Sequence, residues 1–439
     1  MPKKKAAVHV LGCKVNQAEA AAMTKMLVQQ GFLVDPDESS PDLVLVNTCC
    51  VTGRAEGKSR RLISRLARRF PEATLVVTGC LAAINPDSVR QAAGNTTVLV
   101  SADKAGIALL TEEGSVRSTG PTPNNRSFTD LGPAAVTGRA RAFLKVQDGC
   151  SQRCTYCIVP HARGPSRSLD PDRVLHHAVE LEAAGFAEIV LTGVHLGAYG
   201  RDLNPRTSLE ELLERLLRGC RVPRFRLSSI EPQDITDRLI SLMAVEERIC
   251  PHLHVPLQSG DDSVLRRMAR PYDTDGIRAL LMKVHHASPD ACIGMDVMVG
   301  FPGEDDPSFE RTRELIAEIR PAYLHVFPFS PRPGTPAASF TPAVPQDVAH
   351  RRVEQLRILS MELRREFYSR FLGRVLPAVA ESDTADQDGY LTARTDNYIR
   401  IRVAGWDPDR TPHRFLVGLE SIQGEVVMGT IADDVPAAG

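Results

Sequence analysis

Three cysteines within eight residues, Cys150, Cys154 and Cys157 in the run QDGCSQRCTYCIVPHARG, restrict the fold of this 439-residue chain more than any other feature. A strand-like run, AFLKVQD, leads directly into them, which places the thiols together on one loop at a strand end. Soft thiolates suit an iron–sulfur cluster or zinc. The C-x3-C-x2-C spacing lacks the paired arrangement of zinc sites, and a zinc knuckle stands as the alternative. Three thiols from one loop leave one iron of a [4Fe–4S] cluster open. An open iron can bind the amino and carboxylate groups of S-adenosylmethionine and pass an electron to its sulfonium, cleaving it to a 5′-deoxyadenosyl radical.

The surrounding pattern is α/β. From Arg141 to about Phe329 there are six strand candidates, AFLKVQD, EIVLTG, RFRLSSI, HLHVPL, CIGMDVMVG and YLHVFPF. Helical segments fall between them near Pro171–Ala184, Ser208–Arg218, Asp234–Met243, Asp261–Met268 with Asp275–His286, and Asp306–Ile319. Six units are too few for a closed eight-fold barrel, so an open partial (βα)6 barrel is expected, with its chemistry at the strand carboxyl ends. Ahead of it, strands at Ala7–Leu11, Leu43–Val46 and Thr74–Val77 and helices at Ala18–Gln30 and Arg54–Phe70 imply an open parallel sheet. Each of these strands runs into a cysteine, in VHVLGC, LVLVNTC and LVVTGC. Strand ends in such sheets share one crevice, so Cys13, Cys49 and Cys80 can form a second trio. Three buried packing cysteines are the other reading.

The stretch from Glu112 to about Gly138 is rich in Gly, Pro, Ser and Asn and reads as a linker. A charged helix, about Gln346–Phe371, leads to short β-like runs that fit a small five-stranded barrel of the nucleic-acid-binding kind. The expected domains are therefore 1–112, a linker at 113–138, 139–370 and 371–435. A hydrophobic content of 43% and charged content of 24% exclude a disordered chain, and no apolar run approaches membrane-spanning length. The chain is expected to be unexported and cytoplasmic, and ten cysteines then point to metal ligands rather than disulfides. A net charge of −1 leaves any nucleic-acid binding to local patches.

The central run, with Tyr156 before its last cysteine, resembles the radical S-adenosylmethionine superfamily. Across nearly the whole chain the sequence resembles the methylthiotransferases, radical enzymes with two [4Fe–4S] clusters. The matching pieces are LGCKVNQAE, VNTCCVTGRAEGKSR, VVTGC, QDGCSQRCTYCIVPHARGPSRS, LTGVHLGAYG, SSIEP, HVPLQSGDDSVLRRM, DVMVGFPGE and FPFSPRPGTPAA. The resemblance extends to the carboxyl-terminal barrel, which looks like a TRAM domain. Among the branches, GCKVNQ is similar to the one acting on N6-threonylcarbamoyladenosine beside the tRNA anticodon; isopentenyladenosine in tRNA and a ribosomal-protein aspartate are the substrates of the others.

The resemblance implies that Cys13, Cys49 and Cys80 hold one cluster and Cys150, Cys154 and Cys157 the other. It places Tyr156 near the S-adenosylmethionine adenine, with Gly193, Ser229, Glu231 and Gln258 as further cofactor contacts or, equally, ordinary turn and capping residues. It also implies a tRNA substrate, a reducing electron donor such as flavodoxin or ferredoxin, a sulfur donor and no membrane. Cys50 departs from the family, which usually has a hydroxyl or apolar residue there. Successive strand residues point oppositely, so Cys49 is the expected ligand. Arg54, Lys58, Arg61, Arg65, Arg68 and Arg69 form a basic helix that could meet phosphates or be a solvated face. A non-catalytic iron–sulfur module that binds RNA or relays electrons is the reading from another class. His161 and His195 read as structural histidines, and Cys220, Cys250 and Cys292 as packing residues.

Overall fold

A computed structural model of the chain describes residues 4–100, 104, 127–133, 140–382, 384–406 and 413–432. The amino-terminal sheet has five parallel strands, β1 (Lys5–Val10), β2 (Leu33–Val34), β3 (Leu43–Thr48), β4 (Thr74–Gly79) and β5 (Val98–Val100), in the order β2-β1-β3-β4-β5. Central β3 is buried along its whole length, as a strand covered on both faces must be. Helix α1 (Lys14–Gln29) begins directly after Cys13, four residues ahead of the apolar periodicity, because Val15 and Asn16 pack its first turn inward. Helix α2 (Gly53–Arg69) is capped by Thr52, whose side chain accepts a hydrogen bond from the Ala55 N–H. It buries Ser59, Ile63, Leu66 and Ala67 and leaves its arginines outside. Short helices α3 (Cys80–Ile84) and α4 (Pro86–Ala93) follow β4.

The central part is an open arc of six parallel strands. In order across the arc these are β6 (Arg141–Lys145), β9 (Glu188–Thr192), β10 (Arg224–Leu227), β11 (His252–Gln258), β12 (Cys292–Val299) and β13 (Tyr323–Pro328). Bridges Phe225–Ile249 and Ser229–His254 join its two halves. The first strand is shorter than AFLKVQD suggests. Gln147–Asp148 (β7) leaves the arc to pair antiparallel with Arg167–Ser168 (β8), closing the base of the cysteine loop. Helix α5 (Val159–Arg163) ends that loop. Helices α6 (Pro171–Ala183), α7 (Leu209–Gly219), α8 (Asp237–Val245), α9 (Asp262–Arg267), α10 (Thr274–Ala287) and α11 (Asp306–Ile319) lie between the strands. Helix α8 starts at Asp237 with Thr236 as its cap, not at Asp234, whose carboxylate is taken by His195 and Arg201.

Helix α12 (Gln346–Ser369) leads to a closed five-stranded barrel, β14 (Val375–Ala380), β15 (Leu391–Thr395), β16 (Arg400–Ala404), β17 (Arg414–Gln423) and β18 (Val426–Ile431), ordered β14-β15-β16-β18-β17. It is fastened to the arc through fully buried Arg224 and Arg226 of β10, which both meet Glu188 of β9. Arg226 also donates to the carbonyls of Thr395 (3.1 Å) and Asp396 (2.9 Å). Most of the expected linker lies outside the described residues, but Asp130 accepts hydrogen bonds from Arg173 and joins His177 on α6. Among the described residues, no helix is long and apolar enough to cross a membrane.

Candidate active site

A cavity of about 720 Å³ opens where the three parts meet, and all six predicted metal ligands, Cys13, Cys49, Cys80, Cys150, Cys154 and Cys157, line it. Its size suits a cofactor and a substrate group.

The central trio is built by a sharp entry and by donors aimed at sulfur. Gly149 sits at φ +70°, and a Cβ there would lie 2.0 Å from the Pro165 carbonyl oxygen, so only glycine allows the turn. The Gln152 N–H points to Cys150 Sγ (3.4 Å), Arg270 Nη1 to Cys154 Sγ (3.1 Å), and His195 Nδ1 lies 3.7 Å from Cys150 Sγ. Burial pushes the Cys157 thiol up to about 12 and raises Cys154 against the pull of Arg270. Such thiols keep their protons at neutrality unless a metal displaces them. Three convergent sulfurs with N–H donors around them fit the ligand set of an iron–sulfur cluster.

The amino-terminal trio is assembled from three strand ends. Cys13 caps α1, Cys49 follows β3 and Cys80 opens α3. Gly12, at φ +108°, lies so close that a Cβ would meet Cys49 Sγ at 3.2 Å, a cradle that any side chain would fill. Asn16 Nδ2 donates to the carbonyls of Leu11 (2.7 Å) and Thr48 (3.0 Å), while Asn47 Nδ2 donates to the Asn16 carbonyl (3.0 Å). Ser59 Oγ donates to the Cys49 carbonyl (2.8 Å). Burial, with Cys80 and Cys13 nearby, pushes Cys49 up to about 11. These residues too fit a thiolate-bound cluster. Cys50 is fully buried in the apolar core with Ile63, Leu66 and Leu81 and does not reach the cavity.

Arg163, at the end of α5, ties the two trios together. It donates to Asn16 Oδ1 (2.6 Å), to Glu19 (3.0 and 3.1 Å) and to Asp148 (2.8 Å). Burial resists ionisation of Glu19, but Arg163, Lys104 and Lys145 hold its carboxyl well below the usual range. Asn16 and Glu19 belong to GCKVNQAE and Arg163 to VPHARG, and nothing local to either motif signals this pairing.

The expected cofactor contacts Tyr156, Gly193, Ser229, Glu231 and Gln258 all line the same cavity. Glu231 pairs with Arg270, and its carboxyl is raised by burial. Gln258 sits at φ +64°, with a buried Oε1 that has no partner among the described residues, as an acceptor kept for a ligand would be. His195 is buried and paired with Asp234, as a satisfied structural histidine would be. Burial disfavours its charge, but its Nε2 lies 2.6 Å from Asp234, and with Cys150 beside it the imidazole is raised to about 9. His161 is exposed, and Cys220, Cys250 and Cys292 are buried away from the cavity.

Residues absent from the sequence-based reading complete the wall. Asp296 meets His254 Nε2 (2.9 Å) and His325 Nδ1 (3.4 Å). Lys14, from the amino-terminal part, and Tyr398, from the carboxyl-terminal barrel, also line the cavity. Burial raises the Tyr398 phenol, but Lys14, Arg394, Arg141 and Arg226 together pull it below its ordinary range.

Outside this cavity, Lys58, Arg60, Arg61, Arg65 and Arg68 line a groove of about 900 Å³ with His9, Val10 and Leu11. Arg54 and Arg69 of the same helix do not reach it. Leu11 lies in the groove and Gly12 in the cavity wall, so the two adjoin across one peptide bond.

Residues 5–101 match the uncharacterized protein family UPF0004, and residues 144–316 match the radical SAM superfamily. The chain is 37% identical over 406 residues to the threonylcarbamoyladenosine tRNA methylthiotransferase MtaB of Bacillus subtilis, spanning 91% of this chain and 90% of that one. It is 32% identical over 437 residues to the protein of the same name from Thermotoga maritima, spanning 98% and 99%. Among solved structures, the radical S-adenosylmethionine methyltransferase TsrM from Kitasatospora setae shares the fold, with a TM-score of 0.56 at 16% identity over 76% of this chain and 77% of that one.

Proposed function

Because the chain belongs to the threonylcarbamoyladenosine tRNA methylthiotransferase family, we propose that it converts N6-threonylcarbamoyladenosine in tRNA to its 2-methylthio derivative, with S-adenosylmethionine and two [4Fe–4S] clusters as cofactors. The observation that carries this reading is the convergence of two cysteine trios on one cavity. An adenine ring bound there would face both.

When bound, the clusters and S-adenosylmethionine supply the one-electron chemistry, the sulfur and the methyl group that an unactivated C–H bond requires. Cys150, Cys154 and Cys157 would hold one cluster, and Cys13, Cys49 and Cys80 the other. Arg270 offsets negative charge at Cys154 and orients Glu231. Tyr156, Gly193, Ser229, Glu231 and Gln258 form the S-adenosylmethionine wall. Arg163 sets the separation of the two loops by bonding to residues of both.

Residues 1–112 serve as the domain of the amino-terminal cluster, 139–370 as the radical core and 371–435 as a TRAM module that binds RNA, joined across 113–138. The basic groove beside Gly12 takes phosphates of the same RNA, where neutralised charge gives salt-dependent affinity. A low-potential donor such as flavodoxin or ferredoxin supplies electrons and a separate donor supplies sulfur, in the cytoplasm. Mass spectrometry of nucleosides from tRNA of a strain lacking the gene tests the reading. Loss of the methylthio form with build-up of N6-threonylcarbamoyladenosine is the expected result, and loss of methylthio-isopentenyladenosine would reassign the substrate.

A further inference from the structure

Lys14 is a cation in a position that local physics disfavours. It is the first residue of a 16-residue helix, where the peptide dipoles present partial positive charge and an acidic side chain is the stabilising choice. That first turn holds no acid, and Cys13 provides no side-chain cap. The other charges on the cavity are matched: Arg163 by Glu19 and Asp148, Arg270 by Glu231, and Asp296 by two histidines. Lys14 alone among them forms no ion pair with any described residue.

Its surroundings are cationic as well. Arg141, Arg226 and Arg394 act on it as like charges, while Tyr398 acts in the opposite sense. Among the described residues these guanidinium groups and Arg224 pair with Glu188, Glu381 and Asp396, and none of those carboxylates pairs with Lys14. Local rules are broken at functional positions when something outside the chain supplies the compensation.

Threonine joined to adenosine through a carbamoyl group keeps its carboxylate free, a few bonds from the ring. We propose that Lys14, with Tyr398 beside it, is the receptor for that carboxylate and so selects an acidic side group on the substrate adenosine. The assignment rests on the substrate reading given above. It joins recognition to the sulfur-handling side of the site, since Lys14 directly follows Cys13, and it gives the carboxyl-terminal barrel a residue in the cavity. S-adenosylmethionine also carries a carboxylate, but that group would be held, with the cofactor's amino group, at the central trio of Cys150, Cys154 and Cys157 rather than at Lys14.

The test compares two anticodon stem-loop RNAs, one bearing N6-threonylcarbamoyladenosine and the other its methyl ester, binding to the cluster-loaded protein by fluorescence anisotropy. The wild type should prefer the acid by about ten- to hundredfold, the range for a hydrogen bond to a charged group. Lys14→Met should bring that ratio near one, and Lys14→Arg should keep most of it, with iron content measured to show that the neighbouring cluster is intact. Equal binding of acid and ester by the wild type overturns the inference without any variant. A Lys14→Met protein that still prefers the acid, or that instead loses S-adenosylmethionine binding, overturns it while leaving the substrate reading in place. Wild-type protein that binds the modified loop no better than one with plain adenosine overturns the substrate reading itself.

Discussion

The two cysteine trios face one cavity but are delivered by different means. The central one comes from eight consecutive residues, and its geometry depends on one loop, entered at Gly149 and closed by the β7–β8 pairing. The amino-terminal one comes from residues 36 and 31 positions apart, and its geometry depends on the register of β1, β3 and β4 and on Asn16, Asn47 and Ser59. A contiguous ligand loop carries its own shape. A distributed one borrows its shape from the sheet, and should fail first when the sheet is disturbed.

The largest effect should come from removing a ligand. Cys154→Ala and Cys49→Ala are each expected to abolish methylthiolation and to lose about half of the iron, the result required if each trio holds one of two clusters. They should differ in one product, with 5′-deoxyadenosine lost in Cys154→Ala and retained in Cys49→Ala. Loss of all iron in Cys49→Ala would break the comparison, because the trios would then not be independent.

Cutting the tie between them comes next. Arg163→Met leaves buried Glu19 with only Lys104 and Lys145, and buried Asp148 with Lys145 and the more distant Arg167, at an expected cost of about 3 kcal/mol in denaturant unfolding. Iron should leave the amino-terminal trio before the central one, resolved by the separate spectra of proteins carrying one trio each. Equal loss from both would mean that the sheet does not set the weaker site.

The smallest effect should come from Cys50. Cys50→Ala removes a core side chain and no ligand, so about 1 kcal/mol of stability is expected to go while iron content holds. In metal-free protein, iodoacetamide should modify exposed Cys13 well ahead of Cys50, followed by peptide mass spectrometry. Iron loss in Cys50→Ala would show that the two adjacent thiols exchange roles.

Much of this was legible before any coordinates. The six arc strands alternate with helices at ordinary spacing, and both trios follow strands in the sequence. The misplacements have local causes: Gln147–Asp148 reads as a continuation of β6 until its pairing with Arg167–Ser168 is seen, and Asp234 reads as a helix start until His195 claims its carboxylate. Nothing in RFRLSSI marks its two arginines as core residues, yet both are fully buried at the junction with the last barrel. Hydropathy reports the exposure a residue would have alone and has no access to a carboxylate 36 or 38 positions away.

By itself, then, the sequence determined the two cysteine trios at strand ends, the order of strands and helices and the family, because those are written in short-range spacing and periodicity. Tertiary structure alone decided that Arg163 bonds to Asn16 across 147 positions, that Tyr398 reaches the cavity from the last barrel, and that Lys14 lines that cavity with no ion pair among the described residues. Each of these is a balance of charge among residues brought together by packing. Such a balance has no local pattern, because it exists only once the three parts have closed around the same volume.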